Sequence, residues 1–162
     1  MPKSNPSLIE FLAPKYWLLW IALGILRLTT LLPFRTQLSI GRVLGRALLK
    51  LLPKRASAAR SNIRHCFSEM NENDVEILVK EHFESMGISL LETGLCWWAK
   101  PSKLAPLLID IKGLEQIQGL QRQGRGIILL GAHFTDMEIC LRLLSQHVAF
   151  APVYRKMNNP LL

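Results

Sequence analysis

Residues 16–32, YWLLWIALGILRLTTLL, carry one charge, Arg27, and residues 35–64 carry eight cations and no acid. An apolar run beside an acid-free basic flank constrains this chain more than any other feature. At 1.5 Å per residue, 17 helical residues reach about 25 Å, slightly short of a ~30 Å hydrocarbon core. Arg27 lies past the midpoint of the run and would cost about 2.5–3.5 kcal/mol at a bilayer centre, less if it reaches the interface. Tyr16, Trp17 and Trp20 stand at the other end, as an aromatic belt would. The run reads as a membrane anchor, spanning or deeply interfacial; the alternative is a buried core helix. A cleaved signal peptide does not fit, because no small-x-small site follows.

The charge is partitioned along the chain. Of a net +8, residues 1–64 hold eleven cations against Glu10 alone, so residues 65–162 sum to −2. An excess placed beside the most apolar segment points to an anionic surface. The positive-inside rule puts the 35–64 flank in the cytoplasm. Arg42, Arg46 and Lys50 recur every four residues, with Leu44, Leu48, Leu51 and Leu52 on another face. This spacing predicts a basic amphipathic helix lying on anionic headgroups. Gly41 and Gly45 form a small-x-x-x-small pair, which alone says little about helix docking. Nucleic acid is not the expected partner: there is no helix-turn-helix pattern, no zinc-ligand spacing and no aromatic–basic interleaving. Cys66, Cys96 and Cys140 are odd in number and far apart, which disfavours a disulfide framework and fits a reducing, cytosol-facing setting.

Asn71-Glu72-Asn73-Asp74 predicts a helix start, with Asn71 or Asn73 as N-cap and acids in the first turn. Val75, Val79, Phe83, Met86 and Leu90 follow at helical spacing, and Lys100-Pro101 stops the run. His82 on this helix reads as an ordinary polar-border residue. After Pro106 the pattern changes. Leu107–Ile111 is a short apolar run closed by Gly113, Leu114–Gln123 a helix, and Gly124-Arg125-Gly126 a break. Ile127–Leu130 has the composition of a buried strand, Thr135–Ser145 reads as a helix, and Val148–Tyr154 as another strand. The expected fold is therefore α/β: N-terminal membrane-associated helices followed by a β-α-β-α-β parallel-sheet core. The expected regions are an N-terminal segment and anchor (1–34), a basic amphipathic and helical region (35–104) and a partial α/β core (105–162).

The informative stretch is Gly131-Ala132-His133-Phe134-Thr135-Asp136-Met137-Glu138. A histidine leaves a strand and a helix begins directly after it. Ligands gather at the carboxyl ends of strands in such sheets. Thr135 can cap the helix, and Asp136 suits its dipole. Glu138, five residues past His133, can fold back toward the ring. Such a carboxylate fixes the imidazole tautomer and stabilises the imidazolium. With no Ser or Cys beside it, His133 would act as a base on a substrate hydroxyl. The competing reading is a satisfied structural histidine. Arg142, one turn past Glu138, is placed either to pair with it or to serve the fold.

Pro14-Lys15-Tyr16-Trp17, Arg60-Ser61-Asn62-Ile63-Arg64-His65-Cys66-Phe67, Leu91-Glu92-Thr93-Gly94, the His133–Glu138 block, and Val153-Tyr154-Arg155 with Asn158-Asn159-Pro160-Leu161 occur in order. Together they resemble the late acyltransferases of lipid A biosynthesis, most closely the lauroyltransferase type, from about residue 7 onward. The resemblance implies an H-x4-D/E motif on His133 and Glu138. It implies transfer of a fatty acyl group from acyl carrier protein to a hydroxyacyl chain of Kdo2-lipid IVA, at the cytoplasmic side of a bacterial inner membrane. No metal or bound cofactor is then needed, since the donor is an activated thioester. Arg155 falls in the family's second block and is implied to bind phosphate, with a structural salt bridge as the alternative. Family members continue well beyond the Asn-Pro-Leu segment. The chain is thus expected to be a truncated, inactive fragment. Two other functions stay open: a lysophospholipid or other glycolipid acyltransferase, and a non-catalytic membrane-anchored protein.

Overall fold

The computed structural model describes residues 11–153, and every regular element among them is helical. A single 3-10 turn, Pro14–Tyr16, leads into α1 (Trp17–Thr29), followed by α2 (Phe34–Leu51), α3 (Pro53–Cys66) and α4 (Glu72–Trp98). Beyond these lie α5 (Pro101–Leu104) with a 3-10 turn at Ala105–Leu107, then α6 (Leu114–Arg122) and α7 (Met137–Leu144).

The membrane-spanning anchor expected over 16–32 is not formed. Helix α1 has 13 residues, about 20 Å at the usual rise. Among the described residues no helix is long and apolar enough to cross a membrane. The helix ends early because its last carbonyls find other donors. The hydroxyls of Thr29 and Thr30 donate to the carbonyls of Leu26 and Arg27, each at 2.7 Å. Lys103 Nζ donates to the Thr30 and Leu32 carbonyls, and Gln37 Nε2 to Leu32 at 3.0 Å. Pro33, extended at ψ 144°, then opens α2. Arg27 is exposed on α1, its guanidinium 5.6 Å from the centre of the Trp98 ring.

The basic amphipathic helix expected here forms as α2, and part of its apolar side meets protein, whereas Leu51 and Leu52 of the expected stripe stay exposed. Leu48 and Leu49 pack on a core of Ala56, Val75, Val79 and Phe83. Gly41 and Gly45 are buried where α2 crosses α4. A Cβ on Gly45 would stand 2.1 Å from the Phe83 carbonyl oxygen, and one on Gly87 2.1 Å from that of Gly41. The two backbones touch, and only glycine at all three positions permits it. The small-x-x-x-small pair is thus a docking surface.

Helix α4 is the axis of the molecule. Asn71 caps it, its side chain accepting from the Asp74 N–H at 3.0 Å. Val75, Val79, Phe83, Gly87, Leu91, Gly94 and Leu95 form the buried face. Ion pairs Arg60–Glu76 and Arg64–Glu72, each at 2.5 Å, join α3 to it, and Arg46–Glu84 at 3.0 Å joins α2. A second core, Leu95 and Leu104 with Ile139 and Leu143, fastens α7 to its far end.

The β-α-β-α-β sheet is absent from the described residues. Residues 126–131 take part in none of the backbone hydrogen bonds outside the helices, and Ile128 and Leu130 are 95% and 98% exposed. A strand exists only through a partner's N–H and C=O groups. The carbonyl of Ala149, which the third strand would offer, accepts from the Gln121 side chain instead, and that of His147 just before it from Gln118. The Val148 N–H closes a helical turn onto Leu144. Leu107 and Leu108, expected in the first strand, pack on the second core. The tail of the expected third strand, Tyr154, lies outside the described residues.

Candidate functional site

His133 stands on a turn rather than at a strand end. The Phe134 N–H donates to the Ala132 carbonyl at 3.0 Å. No described residue other than glycine has positive φ, so this is an inverse γ-turn with His133 at its centre. The Met137 N–H then bonds the Phe134 carbonyl at 3.3 Å, and α7 begins with Asp136 as N-cap. Asp136 makes no capping bond through its side chain, and Thr135 is not the cap. Glu138 is in the first turn of α7, at the positive end of its dipole.

The structure thus places His133 and Glu138 at one end of α7, both exposed. It does not join them. Among the described residues neither side chain makes a hydrogen bond or ion pair. Arg142 is not paired with Glu138 either; its Nε is buried without a partner among the described residues. Arg155 lies outside the described residues.

Sequence reasoning missed what α4 contributes. Ser85, Ile88 and Glu92 of α4 face Phe134, Thr135 and Asp136 across an open cleft of about 350 Å³. The Ser89 hydroxyl donates to the Thr135 carbonyl. Burial pushes the Glu92 carboxyl up, and the nearby Asp136 charge adds to this. Cys96 is pushed up to about 12, first by burial and then by Glu138 and Glu92, with Arg142 opposing. Cys140 is raised by burial, then by Asp136 and Glu92. Both thiols therefore stay protonated near neutrality and are poor nucleophiles. The junction can offer a base and carboxyl groups, but no thiolate. Among the described residues no group of three His, Cys, Asp or Glu side chains is placed to hold a metal ion. The signal for α4's role was its spacing: Ser85, Ser89, Glu92 and Cys96 share one helical face.

Residues 5–162 match the family described as bacterial lipid A biosynthesis acyltransferase, and the chain belongs to that family. It is 35% identical over 162 residues to the lipid A biosynthesis lauroyltransferase of Escherichia coli K12, covering all of this chain and 52% of that protein. It is 34% identical over 153 residues to the palmitoleoyltransferase of the same organism, covering 94% of this chain and 50% of that one. A lipid A biosynthesis acyltransferase of Haemophilus influenzae is 36% identical over 168 residues, covering all of this chain and 51% of its own length. The chain thus spans about half the length of these relatives. No solved structure matches it.

Proposed function

We propose that this protein transfers a fatty acyl group, of the lauroyl type, from acyl carrier protein to a hydroxyacyl chain of Kdo2-lipid IVA. The observation that carries the reading is His133: an exposed imidazole on a tight turn, five residues before a helix-start carboxylate, in a chain of this family. The imidazole takes the proton of the acceptor hydroxyl. The oxygen attacks the thioester carbonyl, and the tetrahedral intermediate expels the carrier thiolate. An ester C–O bond forms, the C–S bond breaks, and the imidazolium returns its proton to the thiolate. General-base help of this kind is worth about 10²–10⁴-fold. Glu138, at the start of α7, is the candidate for balancing the imidazolium charge. The thioester is itself the activated species, so the step calls on no cofactor. Arg155 is the candidate for phosphate binding.

A bilayer surface is the proposed working place, at the cytoplasmic face of the inner membrane. Trp17, Leu18, Ile21, Ile25 and Leu28 of α1 are exposed. Arg42, Lys50, Lys54 and Arg55 are exposed and make no ion pair among the described residues. Apolar and cationic groups together suit anionic lipid and an acidic carrier.

The test is acyl transfer from lauroyl-carrier thioester, measured on the 162-residue chain and on a fusion continuing it with the remaining half of the E. coli lauroyltransferase. Acceptors are Kdo2-lipid IVA and a lysophospholipid. Transfer to the former supports the reading. Preference for the lysophospholipid, or no transfer by either polypeptide, overturns it.

A further inference from the structure

We infer that Ser89 of α4 is a positioning residue for His133, holding its turn against the helical bundle through the Thr135 carbonyl. This deepens the proposed function and rests on it for the chemistry, but not for the geometry. Upstream of His133 the chain is untethered: residues 126–131 make no backbone hydrogen bond outside the helices, and Ile128 and Leu130 project into solvent. Downstream, α7 is fixed by Ile139 and Leu143 against Leu95 and Leu104 of the second core. Between these two conditions lie Ala132–Asp136, and Ser89 supplies the side-chain hydrogen bond from α4 that reaches this stretch.

The donor is itself held. The Ser89 carbonyl accepts from the Thr93 hydroxyl at 3.1 Å within α4. That part of α4 is pinned by the glycine contact of Gly87 with α2 on one side and by Gly94 against Leu26 of α1 on the other. The place of the imidazole is thus referred back, through Thr135 and Ser89, to the glycine-packed segment of α4. Ile88 and Glu92 flank Ser89 and form the cleft wall opposite Phe134 and Asp136. Released from Ser89, the turn would keep its own Ala132–Phe134 bond but lose its bearing on α4. Since a base displaced by about 1 Å loses on the order of 10²-fold in rate, a shift of about half that loses on the order of tenfold.

Two variants and two readouts test this. In the 162-residue chain, hydrogen exchange is followed at the Phe134, Met137 and Cys140 amides, each hydrogen-bonded in or just after the turn, together with the His133 ring resonances. Ser89→Ala should speed exchange at these amides about tenfold and shift the ring resonances, with α2–α4 amides and the melting temperature unchanged. Ser89→Thr, which keeps the hydroxyl, should restore both. In the fusion, Ser89→Ala should lower kcat about tenfold at unchanged KM for the acceptor. Wild-type exchange and ring resonances in Ser89→Ala overturn the inference, as does loss of protection throughout α4. If His133→Ala keeps full rate, the proposed chemistry fails while the exchange data still decide the tether. If His133→Ala is inactive and Ser89→Ala is unchanged in kcat, the tether has no part in catalysis.

Discussion

Phe83 and Ile128 are both large apolar residues in runs that read as core, yet one is 1% exposed and the other 95%. Phe83 belongs to α4, whose partners α2 and α3 are its near neighbours in sequence, joined by short links. Its apolar face is satisfied by local, antiparallel packing, with glycines letting α2 and α4 touch. Ile128 belongs to a run that can be buried only by strands brought from elsewhere in the chain. Helical bundles complete themselves from local contacts; parallel sheets require distant ones. The same hydrophobicity therefore has opposite fates in α4 and in the 127–130 run.

The largest effects should come from the bundle. Phe83→Ala should destabilise the fold by about 3–5 kcal/mol, measured by urea denaturation, because the residue is fully buried and its neighbours are held by helix crossings. Gly45→Val forces branched atoms toward the Phe83 carbonyl. A loss of about 1–3 kcal/mol or more is expected, with exchange protection falling in α2 and α4 together. Ile128→Ser should change stability by less than about 0.5 kcal/mol, since this side chain buries almost nothing. A large loss there would show that the 127–130 run is packed, and the contrast between the regions would collapse.

The smallest predicted effect sharpens the border between them. Glu92 has a raised folded-state pKa, chiefly from burial at the α4–α7 junction. A carboxyl of this kind favours the folded state fully below its unfolded pKa, and that advantage is lost as pH rises through the folded value. Glu92→Gln should therefore raise the melting temperature slightly at pH 7 and leave it unchanged at pH 4. Equal effects at both pH values would place Glu92 outside the junction.

Much of the bundle was legible from residue types. A cap at Asn71 or Asn73, the acids behind it and the Val75–Val79–Phe83 register all follow from capping and periodicity, and α4 forms with Asn71 as the cap. The register then slips. Met86 and Leu90 continue the helical spacing; Met86 packs at the edge of the first core, but Gly87, Leu91 and Gly94 take the buried face and Leu90 is half exposed. Glycine carries no hydropathy signal, so a face built on backbone contact is invisible to a hydrophobic pattern. The Thr29–Thr30 pair, whose back-bonding ends α1, was hidden inside an apolar run for a similar reason. Beyond Pro106 the turn signals held: Gly124 has φ +69° and ends α6, with Arg125 N–H bonded to Leu120 and Gly124 N–H to Gln121. The strands did not form, because β-branched runs report only a capacity to pair. At the site, the His133–Glu138 spacing was legible, whereas Ser89 was not, since it lies 46 residues from its acceptor Thr135 and only the fold brings them together.

The account depends on the imidazole of His133 as the base. The most direct measurement is the rate of acyl transfer to Kdo2-lipid IVA by the fusion carrying His133 or His133→Gln, with circular dichroism as the control for folding. The account predicts a fall of about 10²–10⁴-fold at unchanged helicity. Equal rates from the two proteins would contradict it.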